Sequence, residues 1–419
     1  MLSITLNAQI DKCGTMKNWE HKKLNDPNTE FRKQQLEHQT QEYIKNNPNF
    51  RSNRSSSSPY ITIPVVVHVL YHNNVENIST AQIQSQIDVL NEDFRLLNSD
   101  SLTDSHPFWY DAADSEIEFC LASQDPNGNL TNGITRTYTD SISFNDDNFP
   151  PGIKSTIYGG KDNWDATKYL NIWVCNLGTS LTLGYAAFPS DLSSKPKKDG
   201  VVIRHEVFGT IGTAGTPGSV NNLGRTVTHE VGHWLNLSHI WGDQLCGDDN
   251  CADTPIQEDA NYSCPIFPHN PNNQCGSDAN GEMFMNYMDY VDDNCMNTFT
   301  FDQKDRMAAA INSARSALLT STGCSTNTGF NNLSFDSNFN IYPNPSNGDF
   351  NINVRQMDIN NMSLTVNNIL GEQVYKFVDK NISVNDNIHI DLNNNSIGVY
   401  YVNIKFDNHF VNKKIILSK

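Results

Sequence analysis

No run of this chain approaches the ~20 apolar residues that a membrane-spanning helix needs, so no transmembrane segment is expected. Basic residues are scarce as well. Lys and Arg number 29 against 47 Asp and Glu, a formal net charge of −18 with a pI of about 4.9. Such an excess of negative charge repels a phosphate backbone, and no nucleic-acid partner is expected. No C-x-x-C pair occurs among the nine cysteines, which argues against a second, cysteine-built zinc site. Nine is nonetheless many for a cytosolic enzyme. Cys246, Cys251, Cys264, Cys275 and Cys295 crowd into one acidic, loop-rich region; they read as disulfides and point to export. At 419 residues the chain has room for two or three domains.

What the chain does contain is "TVTHEVGHWLNLSHIWGD", Thr226 to Asp243. His229 and His233 are four residues apart, so on a helix both imidazoles reach one ion from the same face. Glu230 sits beside the first histidine, close enough to meet a metal-bound water without becoming a ligand. For His239 to complete the set, the helix must stop after Leu235. Asn236 tolerates the left-handed turn that such a stop requires. Three nitrogen ligands and one open position are the pattern of catalytic zinc, whereas a structural site would be closed by a fourth side chain. Zinc lowers the pKa of its water to about 7, and Glu230 as general base would drive hydrolysis of a peptide bond. Glu258 is a rival third ligand, but it follows Pro255 in a loop, and His239 is preferred. His205-Glu206 lacks a partner, because position 209 is Gly209; His205 reads as an ordinary strand histidine.

The segment "CGDDNCADTPIQED" gathers Asp248, Asp249, Asp253 and Thr254, oxygen ligands dense enough to suit calcium. A solvated acidic loop fits the residues equally well.

Four regions follow from composition. Residues 1–9 read as the remnant of a signal peptide whose start lies upstream, since an apolar stretch and Ala8 lack a basic beginning. Residues 10–54 are charged and helical in character, then turn into the cuttable linker "FRSNRSSSSPY"; they read as a pro-segment. Residues 55–324 open with the β-branched strand "YITIPVVVHVLYH". An amphipathic helix follows over 79–98, with Ser79 as cap and Ile83, Ile87, Leu90, Phe94 and Leu97 as its buried stripe. Residues 168–177 and 199–209 read as further strands. Residues 325–419 switch to short alternating runs between Asn- and Ser-rich turns, the pattern of a small all-β sandwich.

The wording "HEVGHWLNLSHIWGD … DTP … MNYMDYVDDNCMN" resembles the pappalysin family, peptidase family M43 of the metzincin clan, over residues 60 to 320. The resemblance implies an α+β, metzincin-type zincin domain, with a twisted mixed sheet and an active-site helix. It makes Met288 the methionine beneath the zinc and Tyr290 the residue that stabilises the tetrahedral intermediate. The clan's usual glycine is Asn236 here. It implies a zymogen in which Cys13 ("DKCGTM") supplies a thiolate to the zinc, and a nearby calcium ion. It also implies disulfides joining Cys251 to Cys275 and Cys264 to Cys295. Relatives cut before arginine, using an acidic residue at the position of Asn294. An amide offers no counter-charge there, so a broader specificity is expected unless Asp292 or Asp293 turns inward. The bonds Phe50–Arg51 and Asn53–Arg54 are candidate self-cleavage points.

The pattern "YPNPSNGDFNINV … ILGEQVY … GVYYVNI … KKIIL" resembles the type A sorting domain of the type IX secretion system. It implies passage through the periplasm of a Bacteroidota bacterium to the medium or the cell surface, with that machinery as a partner. The reading is therefore a secreted zinc endopeptidase acting on proteins or peptides as a monomer. The alternative is a catalytically inactive zincin-fold adhesin or surface-binding protein, which would be free to lose Glu230.

Overall fold

A computed structural model describes residues 12–47, 60–144, 152–271, 275, 279–325, 339–354, 359–368, 372–383, 386–406 and 409–418. The signal-peptide remnant, the linker and its two candidate cleavage bonds lie outside the described residues. The chain divides into two compact units, Met1–Cys324 and Ser325–Lys419.

The first unit begins with helices α1 (Thr15–Asn25) and α2 (Asn28–Asn46), charged outside and buried at Trp19, Leu36 and Thr40. Strand β1 (Ile61–Tyr71) follows, then α3 (Thr80–Phe94), β2 (Ile117–Leu121), β3 (Ile134–Tyr138), β4 (Leu170–Cys175), β5 (Gly184–Ala186) and β6 (Val201–Arg204). The sheet order is β2-β1-β4-β6-β5, with β3 also paired to β1. All pairings are parallel except β5 with β6. Val65, Val66, Val67 and Val69 of β1 are completely buried, as expected of a parallel strand covered on both faces. The short antiparallel β5 leaves its other edge to face the site.

Helix α3 packs on the sheet. The Ser79 side chain accepts from the Gln82 amide at 3.0 Å, and Ile83, Ile87, Leu90 and Phe94 are buried. Leu97 does not join them: the helix ends at Phe94, Leu96 takes φ 51°, and Leu97 is 68% exposed. The expected strand over 199–209 is also shorter. It ends at Arg204, and His205 opens a 3-10 turn that Gly209, at φ 90°, carries beneath α3. Helix α4 (Arg225–Trp234) has every residue buried, and α5 (Phe301–Asn312) starts in a capping box between Thr300 and Gln303.

The second unit holds β7 (Phe339–Tyr342), β8 (Asp349–Val354), β9 (Ile359–Asn368), β10 (Gln373–Ile382), β11 (Asn387–Asp391), β12 (Gly398–Phe406) and β13 (His409–Leu417). They form two antiparallel sheets, β10-β9-β12-β13 and β11-β8-β7. Phe350, Ile352 and Val354 alternate inward from one sheet to meet Leu364, Val366, Val402 and Ile404 of the other. The whole is α+β: a mixed sheet with helices, then a β-sandwich.

Candidate metal centre

Helix α4 presents His229 and His233 one turn apart. The chain then leaves the helix through Asn236, at φ 75°, and returns His239 to the same point. The imidazole edges converge: His233 Nε2 lies 3.1 Å from both His229 Nε2 and His239 Nε2. Each opposite nitrogen faces an acceptor. His229 Nδ1 meets the Tyr287 carbonyl at 2.7 Å, His233 Nδ1 meets the Leu237 carbonyl at 2.8 Å, and His239 Nδ1 meets the Asp243 carboxylate. Those acceptors put the proton on Nδ1 in all three rings. Three Nε2 lone pairs then point at one another in a buried space, an arrangement that repels unless a cation lies between them. The residues therefore fit a metal ion. Burial, with His239 next, holds His229 down to about pKa 3, and burial also carries His233 well below its ordinary value. Both rings are thus neutral ligands.

Cys13 completes the group. Among the described residues, Cys13, His229, His233 and His239 are the one set of three or more potential ligands whose atoms all lie within 4.8 Å of one another. A thiol with three imidazoles suits zinc's tetrahedral, nitrogen-and-sulfur preference. The segment before α1 brings Cys13 in along the free edge of β5. The Leu183 amide donates to the Lys12 carbonyl, and the Gly14 amide to the Gly184 carbonyl, both at 2.8 Å. Thr15 donates to Glu230 Oε2 at 2.8 Å and accepts from the Ala186 amide at 2.8 Å. Burial, then Glu230, pushes the Cys13 thiol well up; a bound divalent cation acts in the opposite direction.

Met288 is fully buried beneath the histidines, against Gly232. A Cβ on Gly232 would lie 2.5 Å from the Met288 sulfur, so the glycine inside H-E-V-G-H leaves room for the methionine. Tyr290 packs with its ring 5.0 Å from that of His239, and its hydroxyl reaches the Cys13 carbonyl at 3.4 Å. Sequence reasoning missed Gly232, Thr15 and Asp243. Only Asp243 left a trace, four residues after His239.

A pocket beside Glu230 is lined by Leu183, Thr226, Val291, Asp293 and Met296. Asn294 is not in it. It is exposed, with its amide oxygen 3.2 Å from the Cys264 sulfur, because the 3-10 turn Asp293–Cys295 sends Asp293 inward instead. The weakened arginine preference reasoned from Asn294 loses its basis. Asp293 is 1% exposed and accepts from the Leu223 and Arg225 amides, while Asp292 pairs with Lys12 at 3.4 Å.

The disulfides are Cys120–Cys324, Cys246–Cys275 and Cys264–Cys295. The expected Cys251–Cys275 bridge is therefore a misassignment. Cys251 is a buried free thiol whose sulfur faces the Asp249 carbonyl at 3.9 Å, whereas Cys246 and Cys275 lie nearer the surface and take each other. Cys120–Cys324, closed across 204 residues, was not foreseen.

Asp248 is exposed and accepts from the Asn250 amide, and the Thr254 hydroxyl is engaged with Asp249 Oδ1 and the Cys251 carbonyl. Asp249 Oδ2 and Asp253 Oδ1 are buried with no protein partner. Burial raises these carboxyls to about 7 and about 6.

Sheet, helix and histidine cluster together define a metzincin-type metallopeptidase. The family model described as pregnancy-associated plasma protein-A, peptidase family M43, matches residues 156–312, and that of a secretion system C-terminal sorting domain matches residues 340–418. An extracellular metalloprotease of Colletotrichum graminicola is 31% identical over 256 residues, 58% of this chain and 76% of that protein. Another from Pyricularia oryzae is 31% identical over 256 residues, 59% of this chain and 74% of that one. Among solved structures, mature mirolysin of Tannerella forsythia in complex with a cleaved peptide is 49% identical, covers 62% of this chain and 96% of its own, and has a TM-score of 0.58. A promirolysin mutant from the same organism is 45% identical, covers 74% and 97%, and has a TM-score of 0.61. The chain belongs to the pappalysin family, M43. It is a secreted or cell-surface metalloendopeptidase that carries a secretion sorting domain.

Proposed function

We propose that the metal is zinc, held by His229, His233 and His239, and that Glu230 and Tyr290 perform peptide hydrolysis beside it. The convergence of three buried Nε2 atoms at 3.1 Å carries this reading. Zinc would supply Lewis acidity, lowering the pKa of water from about 16 to about 7 and polarising the scissile carbonyl. Glu230 takes the proton as water attacks and returns it to the leaving amine. The Tyr290 hydroxyl donates to the carbonyl oxygen as charge builds there.

Residues 10–54 act as pro-segment and cleavable linker, 55–324 as catalytic domain, and 325–419 as the sorting domain read by type IX machinery in a Bacteroidota bacterium. Latency rests on two contacts of the pro-segment. Cys13 fills the position that water needs, and Thr15 occupies Glu230. The pocket beside Glu230 takes a basic side chain on the C-terminal side of the cut; the buried Asp293 and the Lys12–Asp292 pair support this. Calcium binds at Asp249 and Asp253, whose unpartnered buried oxygens favour a hard cation.

One set of preparations tests these roles. Metal analysis of the full chain should find one zinc, and added calcium should raise its melting temperature. Glu230→Ala should keep the zinc and lose at least about a thousandfold in peptide hydrolysis. Cys13→Ala should shorten the lag before activity, with cuts falling before arginine or lysine. A Glu230→Ala enzyme as fast as wild type, an unchanged lag, or cuts spread over uncharged residues would refute the corresponding role.

A further inference from the structure

For a chain of net charge −18, one cavity has the wrong sign. It measures about 310 Å³ and lies where α1 meets the body of the first unit. Lys22 and His21 of α1 line it from one side, and Lys154, Lys195 and Lys198 from the other, with Tyr185 of β5 between them.

Carboxylates answer only part of this charge. Lys22 pairs with Asp191 at 3.0 Å, and Lys195 with Asp26 at 3.4 Å. Lys154 and Lys198 pair with none among the described residues. Lys154 is 8% exposed, its ammonium held by the Lys198 and Gly200 carbonyls at 2.8 and 3.4 Å and set 4.7 Å from the Trp173 ring. Burial, then Lys22, drags Lys154 down to about pKa 7, against the pull of Asp199. Asp199 itself is committed to Arg315 and the Trp234 indole. The pro-segment therefore docks Lys22, already paired with Asp191, beside two lysines that no carboxylate pairs, and an anion among them would relieve the remaining repulsion.

We propose that this cavity is a binding site for a tetrahedral oxyanion, phosphate or sulfate, which bridges α1 to the catalytic body and tightens the latent form. Ammonium groups from both sides can donate charge-assisted hydrogen bonds to its oxygens. The volume also admits such a group carried on a sugar. The bridging role rests on the reading of residues 10–54 as a removable pro-segment; the binding site itself does not.

The test uses the full chain carrying Glu230→Ala, so that no self-cleavage intervenes. Calorimetric titration with inorganic phosphate, inorganic sulfate and a sulfated monosaccharide, each at constant ionic strength set by chloride, should show one saturable site. Lys198→Ala should weaken phosphate binding about tenfold, the loss of one charge-assisted hydrogen bond. Lys197→Ala, at an exposed neighbour outside the cavity, should leave it unchanged. Tighter binding of the sugar ester than of the free ions supports the site and names a glycan as its source. No saturable binding above the chloride background, or equal loss from Lys197→Ala and Lys198→Ala, overturns the site. Phosphate affinity that is the same after removal of residues 10–54 overturns the bridge while leaving the pro-segment reading intact.

Discussion

Helix α4 and the stretch from 246 to 295 enclose the metal centre from two sides and are built in different ways. The helix is ten residues, all buried; its periodicity puts His229 and His233 on one face, and the Tyr287 and Leu237 carbonyls then orient their rings. Among its described residues the second stretch has no α-helix or strand longer than an isolated bridge, only the 3-10 turn Asp293–Cys295. Two disulfides and single polar contacts hold it. Asp289 accepts from the Asn261 and Tyr290 amides on Oδ1, and from the Gln257 and Asn261 side chains on Oδ2, clasping the loop to the methionine turn. Where periodicity sets the geometry, spacing reveals the site. Where individual contacts set it, each contact has to be seen.

The helix too leans on polar anchors, and at its Trp234 end the anchor is a buried ion pair. Asp199 accepts from the Trp234 indole and from both terminal nitrogens of Arg315, while Arg315 Nε donates to the Trp234 carbonyl; ion pair and helix end are buried together. Asp199→Ala strands a buried guanidinium and should lower the unfolding free energy by about 3–5 kcal/mol. A loss below about 1 kcal/mol in urea titrations would mean that packing alone seats α4. The loop offers the next test. Cys246→Ser opens the Cys246–Cys275 bridge and should cost about 2–4 kcal/mol. Cys251→Ser removes a buried thiol only and should cost about 1 kcal/mol. Thermal melting of both variants beside non-reducing peptide mapping decides between them, and equal losses would return Cys251 to the disulfide set.

The smallest effect sharpens the picture at Asp289. Burial raises its folded pKa to about 7, above the 3.8 of an ordinary aspartate, although its hydrogen bonds pull the other way. The folded protein therefore binds this proton more tightly than the unfolded chain. The associated stability is complete below the unfolded pKa and is lost as pH rises through the folded one. Between pH 6 and pH 7 this group loses about 1 kcal/mol, and Asp289→Asn should take that share out of a slope to which Asp249 and Asp253 also contribute in urea unfolding curves. An unchanged slope would show that the clasp carries no proton.

Much of the site was legible because its logic is local. The H-E-x-x-H spacing and the left-handed Asn236 follow from helix geometry, and the alternation of 339–354 follows from the pleat of a strand. Leu97 misled because the hydrophobic period ran on after the backbone had turned at Leu96. Asn294 misled because a register judged along the chain cannot tell which side of a 3-10 turn faces the pocket. The cysteine pairing failed for a related reason: which thiol turns inward depends on Asp249 and on a loop path with no period.

By itself the sequence determined the three imidazoles, the glutamate beside them, the first strand, the helix after it, the strand Leu170–Cys175, and the change to a β-rich tail, because each rests on neighbours within a few residues. Only the tertiary structure decided that Thr15 covers Glu230, that Asp293 rather than Asn294 lines the pocket, and that Lys22 of α1 faces the lysines of the body; it also brings Cys13, expected from the family resemblance alone, to the histidines. Those contacts join residues far apart along the chain. Their energies come from burial and charge, which exist only once the chain has closed on itself.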